Sequence, residues 1–329
     1  MKDNTFDPCF AEDVLRGLGS ENKYLSSRYF YDARGDGLFQ AIMASPEYYL
    51  TDCEHEIFAE QGKQIAEALA KAGPFELDEL GSGDGLKTRL LLDALHTTGV
   101  DFTYRPVDIS ANSLELLSTR LSKGRPWLKI NAIHGDYMQA LTAAQLPDPP
   151  PPGPRKVIMF LGSNLGNYQE AKALGFLKLI RGTMRPGDAL LIGLDLQKEP
   201  AVIRAAYNDG GGHTRAFNLN LLSRINRQLD GNFDLSRFEH VPEYDEATGA
   251  AKSYLKSTRS QSVYIAALEQ EFQFGEGESI FMEISQKYSR AQIARLAQGS
   301  GFQIQHEFYD SKHYFTDQIW SYTPSAVSG

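Results

Sequence analysis

The sequence predicts an α/β protein: a Rossmann-like parallel sheet joined to a second, smaller α+β domain. Three observations point there. Between residues 75 and 195, short apolar strands alternate with amphipathic helices, the rhythm of a parallel sheet with helices on both faces. The first strand runs into a glycine loop, Gly81, Gly83 and Gly85. From about Gln197 the alternation stops, and segments of different texture follow before a last helix and two strands rejoin the sheet.

The elements follow in order. Residues 53–71 place Ile57, Phe58, Ile65, Ala68 and Leu69 at three- and four-residue spacing, a helical stripe ended by Gly73-Pro74. Residues 75–80 form the first strand, and 87–96 a helix with Leu90, Leu91 and Leu95 on one side. Strand 102–109, helix 112–123 and strand 130–134 come next. The proline-rich stretch 148–154 is an extended connector. Strand 157–162 is nearly pure apolar, as a buried parallel strand should be. Helix 170–184 and strand 189–195 complete the alternation.

Beyond Gln197, residues 201–207 look helical and Asp209-Gly210-Gly211-Gly212-His213 breaks them. A strong helix follows, with Thr214 as N-cap and Phe217, Leu221, Ile225 and Leu229 at four-residue steps. Strand patterns at 251–258, 262–267, 271–274 and 279–287, with a Gly275-Glu276-Gly277-Glu278 turn, suggest antiparallel hairpins. Helix 289–298, capped by Gly299, and strands 302–309 and 314–322 close the chain. The first sixty residues lack the β-α rhythm and group with the insert. The expected domains are therefore 61–196 with 287–329, and 1–60 with 197–286.

Composition narrows the function. The 329 residues carry a formal charge of -9, which disfavours nucleic acid, whose binding needs clustered Lys and Arg. The two cysteines, Cys9 and Cys53, form no metal-ligand pattern and suit a reducing cytosol. No apolar run is long enough to span a bilayer, and 1–7 lacks a secretory pattern. The expectation is a cytoplasmic monomer acting on a small molecule, with no metal, nucleic-acid or membrane partner.

The loop points to the ligand. Glycines permit a tight turn and close approach of a ligand to the backbone. Asp108 ends the second strand, where an acidic side chain can bind both hydroxyls of a ribose. NAD, FAD and S-adenosylmethionine all fit that geometry. Three details favour S-adenosylmethionine: glycines spaced GxGxG, Glu79 just before the loop, and Asp136-Tyr137 after the third strand, placed to flank an adenine.

A more specific likeness comes from other motifs. Phe30-Tyr31-Asp32-Ala33-Arg34-Gly35, Pro46-Glu47-Tyr48-Tyr49-Leu50-Thr51, the Glu79 loop and Phe160-Leu161-Gly162-Ser163-Asn164-Leu165-Gly166-Asn167 come first. Ala206-Tyr207-Asn208-Asp209, Ala216-Phe217-Asn218 and Phe281-Met282-Glu283-Ile284-Ser285-Gln286-Lys287-Tyr288 follow. In this order, over nearly the whole chain, they resemble the histidine Nα-methyltransferase family of ergothioneine biosynthesis. The resemblance implies a class I methyltransferase domain with a smaller substrate domain. It implies transfer of three methyl groups from S-adenosylmethionine to the α-amino group of L-histidine, giving hercynine.

It also implies roles. Tyr31 would lie near the substrate amine and the donor. Gly81, Gly83, Lys87, Asp108, Asp136 and Tyr137 would bind the donor. Asn167 and Tyr207 would hold the amino acid's α-amino and carboxylate groups. Tyr48, Glu283 and Ser285 would grip the imidazole. Ser253 departs from the family, which usually offers a methionine there.

The chemistry is consistent with these roles. The donor is already activated, so the protein mainly positions the reactants. A carboxylate such as Glu283 accepts from a ring N–H, and Ser285 can donate or accept. Two positions apart on a strand, they face the same side. The nearest rival keeps the chemistry and changes the acceptor to tryptophan or a derivative. A nicotinamide oxidoreductase and a non-catalytic donor-binding protein are the other classes to separate.

Overall fold

The computed structural model describes residues 7–83, 85–147 and 150–322. Asp84 of the glycine loop, the first two residues of the 148–154 connector, residues 1–6 and residues 323–329 lie outside the described residues. The chain divides into two compact units: Met1–Tyr49 with Lys198–Gln286, and Leu50–Gln197 with Lys287–Gly329. We call the first the α+β unit and the second the sheet unit.

In chain order the α+β unit begins with α1 (Pro8–Leu18) and α2 (Ala33–Met43). Helix α3 (Tyr49–Ala70) opens the sheet unit. There follow β1 (Phe75–Leu80), α4 (Thr88–Thr97), β2 (Phe102–Asp108), α5 (Ala111–Ser122), β3 (Ile133–His134) and α6 (Tyr137–Ala143). Then come β4 (Lys156–Phe160), α7 (Glu170–Gly182) and β5 (Ala189–Asp195). The chain re-enters the α+β unit with α8 (Pro200–Ala206), α9 (His213–Gln228), β6 (Phe238–Asp245), β7 (Ala250–Ser257), β8 (Gln261–Ile265), β9 (Gln270–Phe274) and β10 (Ser279–Gln286). It ends in the sheet unit with α10 (Arg290–Ser300), β11 (Gln303–Tyr309) and β12 (Phe315–Ser321).

The seven-stranded sheet has the order β11-β12-β5-β4-β1-β2-β3. Strands β1 to β5 are parallel, as the alternating pattern requires. The terminal pair is a hairpin whose β12 runs antiparallel to β5, because the short link between β11 and β12 cannot cross back over the sheet. Strand β3 is shorter than the 130–134 expected. It lies at the sheet edge, where residues 131, 132 and 134 are exposed, and only a bridge from Ile130 to Tyr104 extends it. Ile158, Phe160, Leu190, Ile192 and Leu194 pack on Leu141, Phe176, Leu177, Ile180, Ile293 and Leu296 from α6, α7 and α10. The strand order reverses between β1 and β4, the topological switch point at which open α/β sheets bind ligands.

The α+β unit holds a three-stranded sheet, β10-β7-β6, and a separate ribbon, β8-β9. Here the sequence reading needs correction. The 275–278 turn does not join a hairpin: β9 pairs with β8, and β10 pairs with β7. Strand β6 was not anticipated, since Glu239, Pro242, Glu243 and Asp245 mask its alternation. Nor was α1, whose Phe10, Val14 and Leu18 are buried against Phe217, Leu221 and Ile225 of α9. Thr214 is not the cap of α9. Gly212 holds the N-cap position, and the Asp209 carboxylate takes over the capping bonds, accepting from the backbone N–H groups of His213 at 2.7 Å and Thr214 at 2.8 Å. Helix α10 starts at a Ser289–Gln292 capping box and runs through Gly299 to Gly301, whose φ of 82° ends it.

Candidate active site

In the sheet unit, the groups expected to bind the donor stand at strand C-termini. Gly81 and Gly83 have φ of 75° and 55°, backbone that a side chain rarely adopts. A Cβ at Gly83 would meet nothing within 4 Å among the described residues, so the loop leaves room for a ligand. Asp108 ends β2, with one carboxylate oxygen accepting from Ser110 N–H at 2.9 Å. Asp136 caps α6, accepting from Met138 N–H at 2.7 Å. Tyr137 begins that helix, its ring 6.0 Å from those of Phe160 and Phe176.

Two buried acids brace the loop. Glu79 is 2% exposed and accepts from Thr88 Oγ1 at 2.7 Å and from the Tyr104 hydroxyl. Burial pushes its carboxyl up to about 7, against the pull of those two hydroxyls. Lys87, just before α4, pairs with Glu54 of α3.

The segment after β4 turns sharply. Gly162 and the non-glycine Ser163 both have positive φ, 74° and 55°. The Ser163 hydroxyl accepts from Asp195 N–H at 3.1 Å, which holds the turn. A Cβ at Gly162 would stand 3.3 Å from Lys87 Nζ and 3.7 Å from Asn164 Nδ2. The next turn, Asn164–Asn167, leaves Asn167 exposed. Asn164, which lies nearer the glycines, escaped assignment although it stands in the same motif.

In the α+β unit, the motif around Tyr31 has a mechanical explanation. Phe30 is 1% exposed and packs 4.6 Å from the ring of Phe217. Asp32 caps α2 through Gly35 N–H at 2.7 Å, and accepts from Asn220 Nδ2 at 2.9 Å and Arg227 at 2.5 Å. Gly35 admits no side chain, because a Cβ would overlap the Phe30 carbonyl. These neighbours fix Tyr31, which is 50% exposed and rests edge-on against Phe39 and Phe217 at 5.6 and 5.7 Å. Its hydroxyl titrates above the ordinary tyrosine range, through desolvation first and then the charges of Glu283 and Asp36. At neutral pH it is a hydroxyl and not a phenolate.

The three-stranded sheet and its surroundings in the same unit hold the rest. Glu283 and Ser285 stand two apart on β10, opposite Ser253 and Ala251 of β7. The Tyr207 hydroxyl, following α8, donates to Ser285 Oγ at 2.7 Å. Tyr48 lies beside Phe39, ring centres 6.4 Å apart. Ser253 is fully buried, its hydroxyl 3.3 Å from His240 Nε2. Burial lowers the His240 imidazole to about 4, so it is neutral at physiological pH. No spacing signal in the sequence distinguishes His240.

Comparison with known proteins accords with this picture. The chain is 38% identical over 276 residues to histidine N-alpha-methyltransferase of Mycobacterium tuberculosis, covering 84% of this chain and 83% of that one. It is 36% identical over 298 residues to the enzyme of the same name from Mycolicibacterium smegmatis, covering 91% and 90%. Ergothioneine biosynthesis protein 1 of Schizosaccharomyces pombe is 28% identical over 284 residues, covering 85% of this chain but 36% of that much longer one. Residues 10–322 match the family model described as "Histidine-specific methyltransferase, SAM-dependent", and the chain belongs to that family.

Proposed function

We propose that this protein trimethylates the α-amino group of L-histidine with S-adenosylmethionine, giving hercynine and opening ergothioneine biosynthesis. The observation that carries the choice of acceptor is the polar sheet face of Glu283, Ser285 and Tyr207. An indole could use one acceptor there. A neutral imidazole can use an acceptor and a donor together, and Glu283 with Ser285 offers both. A site built on hydrogen bonds rejects analogues lacking them by a larger factor than an apolar slot could.

We assign donor binding to the sheet unit, through Gly81, Gly83, Lys87, Asp108, Asp136 and Tyr137, and acceptor recognition to Tyr48, Tyr207, Glu283 and Ser285 of the α+β unit. Asn167 is assigned to the amino acid's polar end. When bound, the donor supplies an electrophilic methyl on a positively charged sulfur. Asp108 would hold its ribose hydroxyls, and the open backbone at Gly83 accommodates its approach. Tyr31, held neutral, would orient the amine and take no proton from it, leaving water to accept the proton released. Positioning of this kind is the main catalytic requirement for an activated donor. We further infer a cytoplasmic monomer; the free thiols of Cys9 and Cys53 support the compartment.

Calorimetry in the presence of S-adenosylhomocysteine tests the acceptor directly. L-histidine should bind and L-tryptophan should not. Binding of tryptophan alone would move the assignment to the indole-amine branch.

A further inference from the structure

Behind the glycine loop, the sheet unit buries more acid than its lysine can neutralise. Glu54 on α3 and Asp317 on β12 are 1% and 0% exposed. Lys87 pairs with Glu54 Oε2, while Glu54 Oε1 accepts from Gly162 N–H at 2.7 Å. Neither carboxylate oxygen of Asp317 meets a hydrogen-bond donor among the described residues. As an ion it would be a charge in the protein interior with no hydrogen-bond donor among the described residues, which is strongly unfavourable. The two acids crowd the same point on β5: a Cβ at Gly193 would stand 2.5 Å from Glu54 Oε1 and 3.0 Å from Asp317 Oδ1. Carboxyl groups this close do not both ionise, and a proton on one turns it into a donor to the other.

We propose that Glu54 and Asp317 share one proton, and that this pair is the positioning element that fixes Lys87 and the Gly162 turn for the donor. The proposal rests on the reading of Lys87 as a donor-binding residue. Charge counting shows why the proton matters. With both acids ionised, the cluster with Lys87 is net negative and repels the carboxylate of the donor's amino-acid end. With one proton shared, Lys87 keeps its attraction for that carboxylate. Desolvation, then the charge of Glu54, holds Asp317 well above the usual carboxylate range, while Lys87 opposes them. Lys87 also faces the charge of Glu79.

The test uses the full chain and three variants. Asp317→Asn keeps the donor without the titration. Relative to this variant, the folding equilibrium constant of the wild type should fall, by up to about tenfold per pH unit, as pH rises above the unfolded carboxyl's pKa of about 4, the signature of one proton held by the folded state alone. Both should bind S-adenosylhomocysteine equally at pH 7, whereas Asp317→Ala should bind it about tenfold more weakly. A stability difference that is flat with pH would refute the shared proton, and this arm decides even if Asp317→Ala does not fold. Undiminished binding by a folded Asp317→Ala would refute the positioning role. Lys87→Met separates the premise: if it binds S-adenosylhomocysteine like wild type, the donor reading of Lys87 has failed, and the positioning role with it.

Discussion

The two units bury charge in opposite ways. The sheet unit hides ionisable groups: the carboxyls of Glu54, Glu79 and Asp317 at 2% exposure or less, and the Lys287–Asp195 pair, both fully buried and 2.7 Å apart. The α+β unit uses Asp32 and Asp209 as helix caps and buries a neutral imidazole, His240. The contrast matches the assigned ligands. On those assignments, a sulfonium donor with charged ends would face the unit rich in buried ionisable groups, and a heterocycle the unit of neutral or singly charged hydrogen-bonding groups.

The comparison can be broken first at Gly35. Gly35→Ala drives a methyl into the Phe30 carbonyl and should cost on the order of 4 kcal/mol, a backbone clash in the α+β unit read by thermal unfolding. A loss below about 1 kcal/mol would mean that the Phe30–Gly35 turn is not the rigid support of Tyr31.

Opposite pH responses come next, each about 3 kcal/mol by linkage. Glu79 rises from 4.5 to about 7 on folding, so its share of stability is present below pH 4.5 and lost as pH climbs through 7. Glu79→Gln should remove that slope. His240 drops from 6.5 to about 4, so its share is present above pH 6.5 and lost as pH falls through 4. His240→Asn should flatten the acid limb alone. Identical slopes in the two variants and the wild type would erase the distinction.

Ligand binding sharpens it last, by about 2 kcal/mol at each site, the worth of hydrogen bonds to a charged group. Asp108→Ala should weaken S-adenosylhomocysteine and spare L-histidine. Glu283→Ala should do the reverse. Loss of both ligands in either variant would merge the two assignments.

Legibility followed the same divide. The sheet unit could be read because a parallel strand buried on both faces is a continuous apolar run, as in β4 and β5. Gly81, Asp108 and Asp136 stand out because they come at or just after the ends of successive predicted strands. The α+β unit was harder. Its β6 is interrupted by acids and a proline, and the pairing of β10 with β7 skips the intervening β8-β9 ribbon. Register between distant strands leaves no local trace. Glu54 and Asp317 were missed for a related reason: each is a lone acid among apolar residues, and only the fold shows that they meet. Tyr31, Glu283 and Ser285 came from motif likeness, since residue type alone does not single them out.

The most direct measurement is a turnover assay with S-adenosylmethionine, each amino acid in turn, and mass analysis of the products. The account predicts that L-histidine, and not L-tryptophan, ends as its Nα-trimethyl derivative, and that Glu283→Ala slows this at limiting histidine. Methylation of tryptophan with histidine untouched, or donor binding without turnover on either, would contradict it.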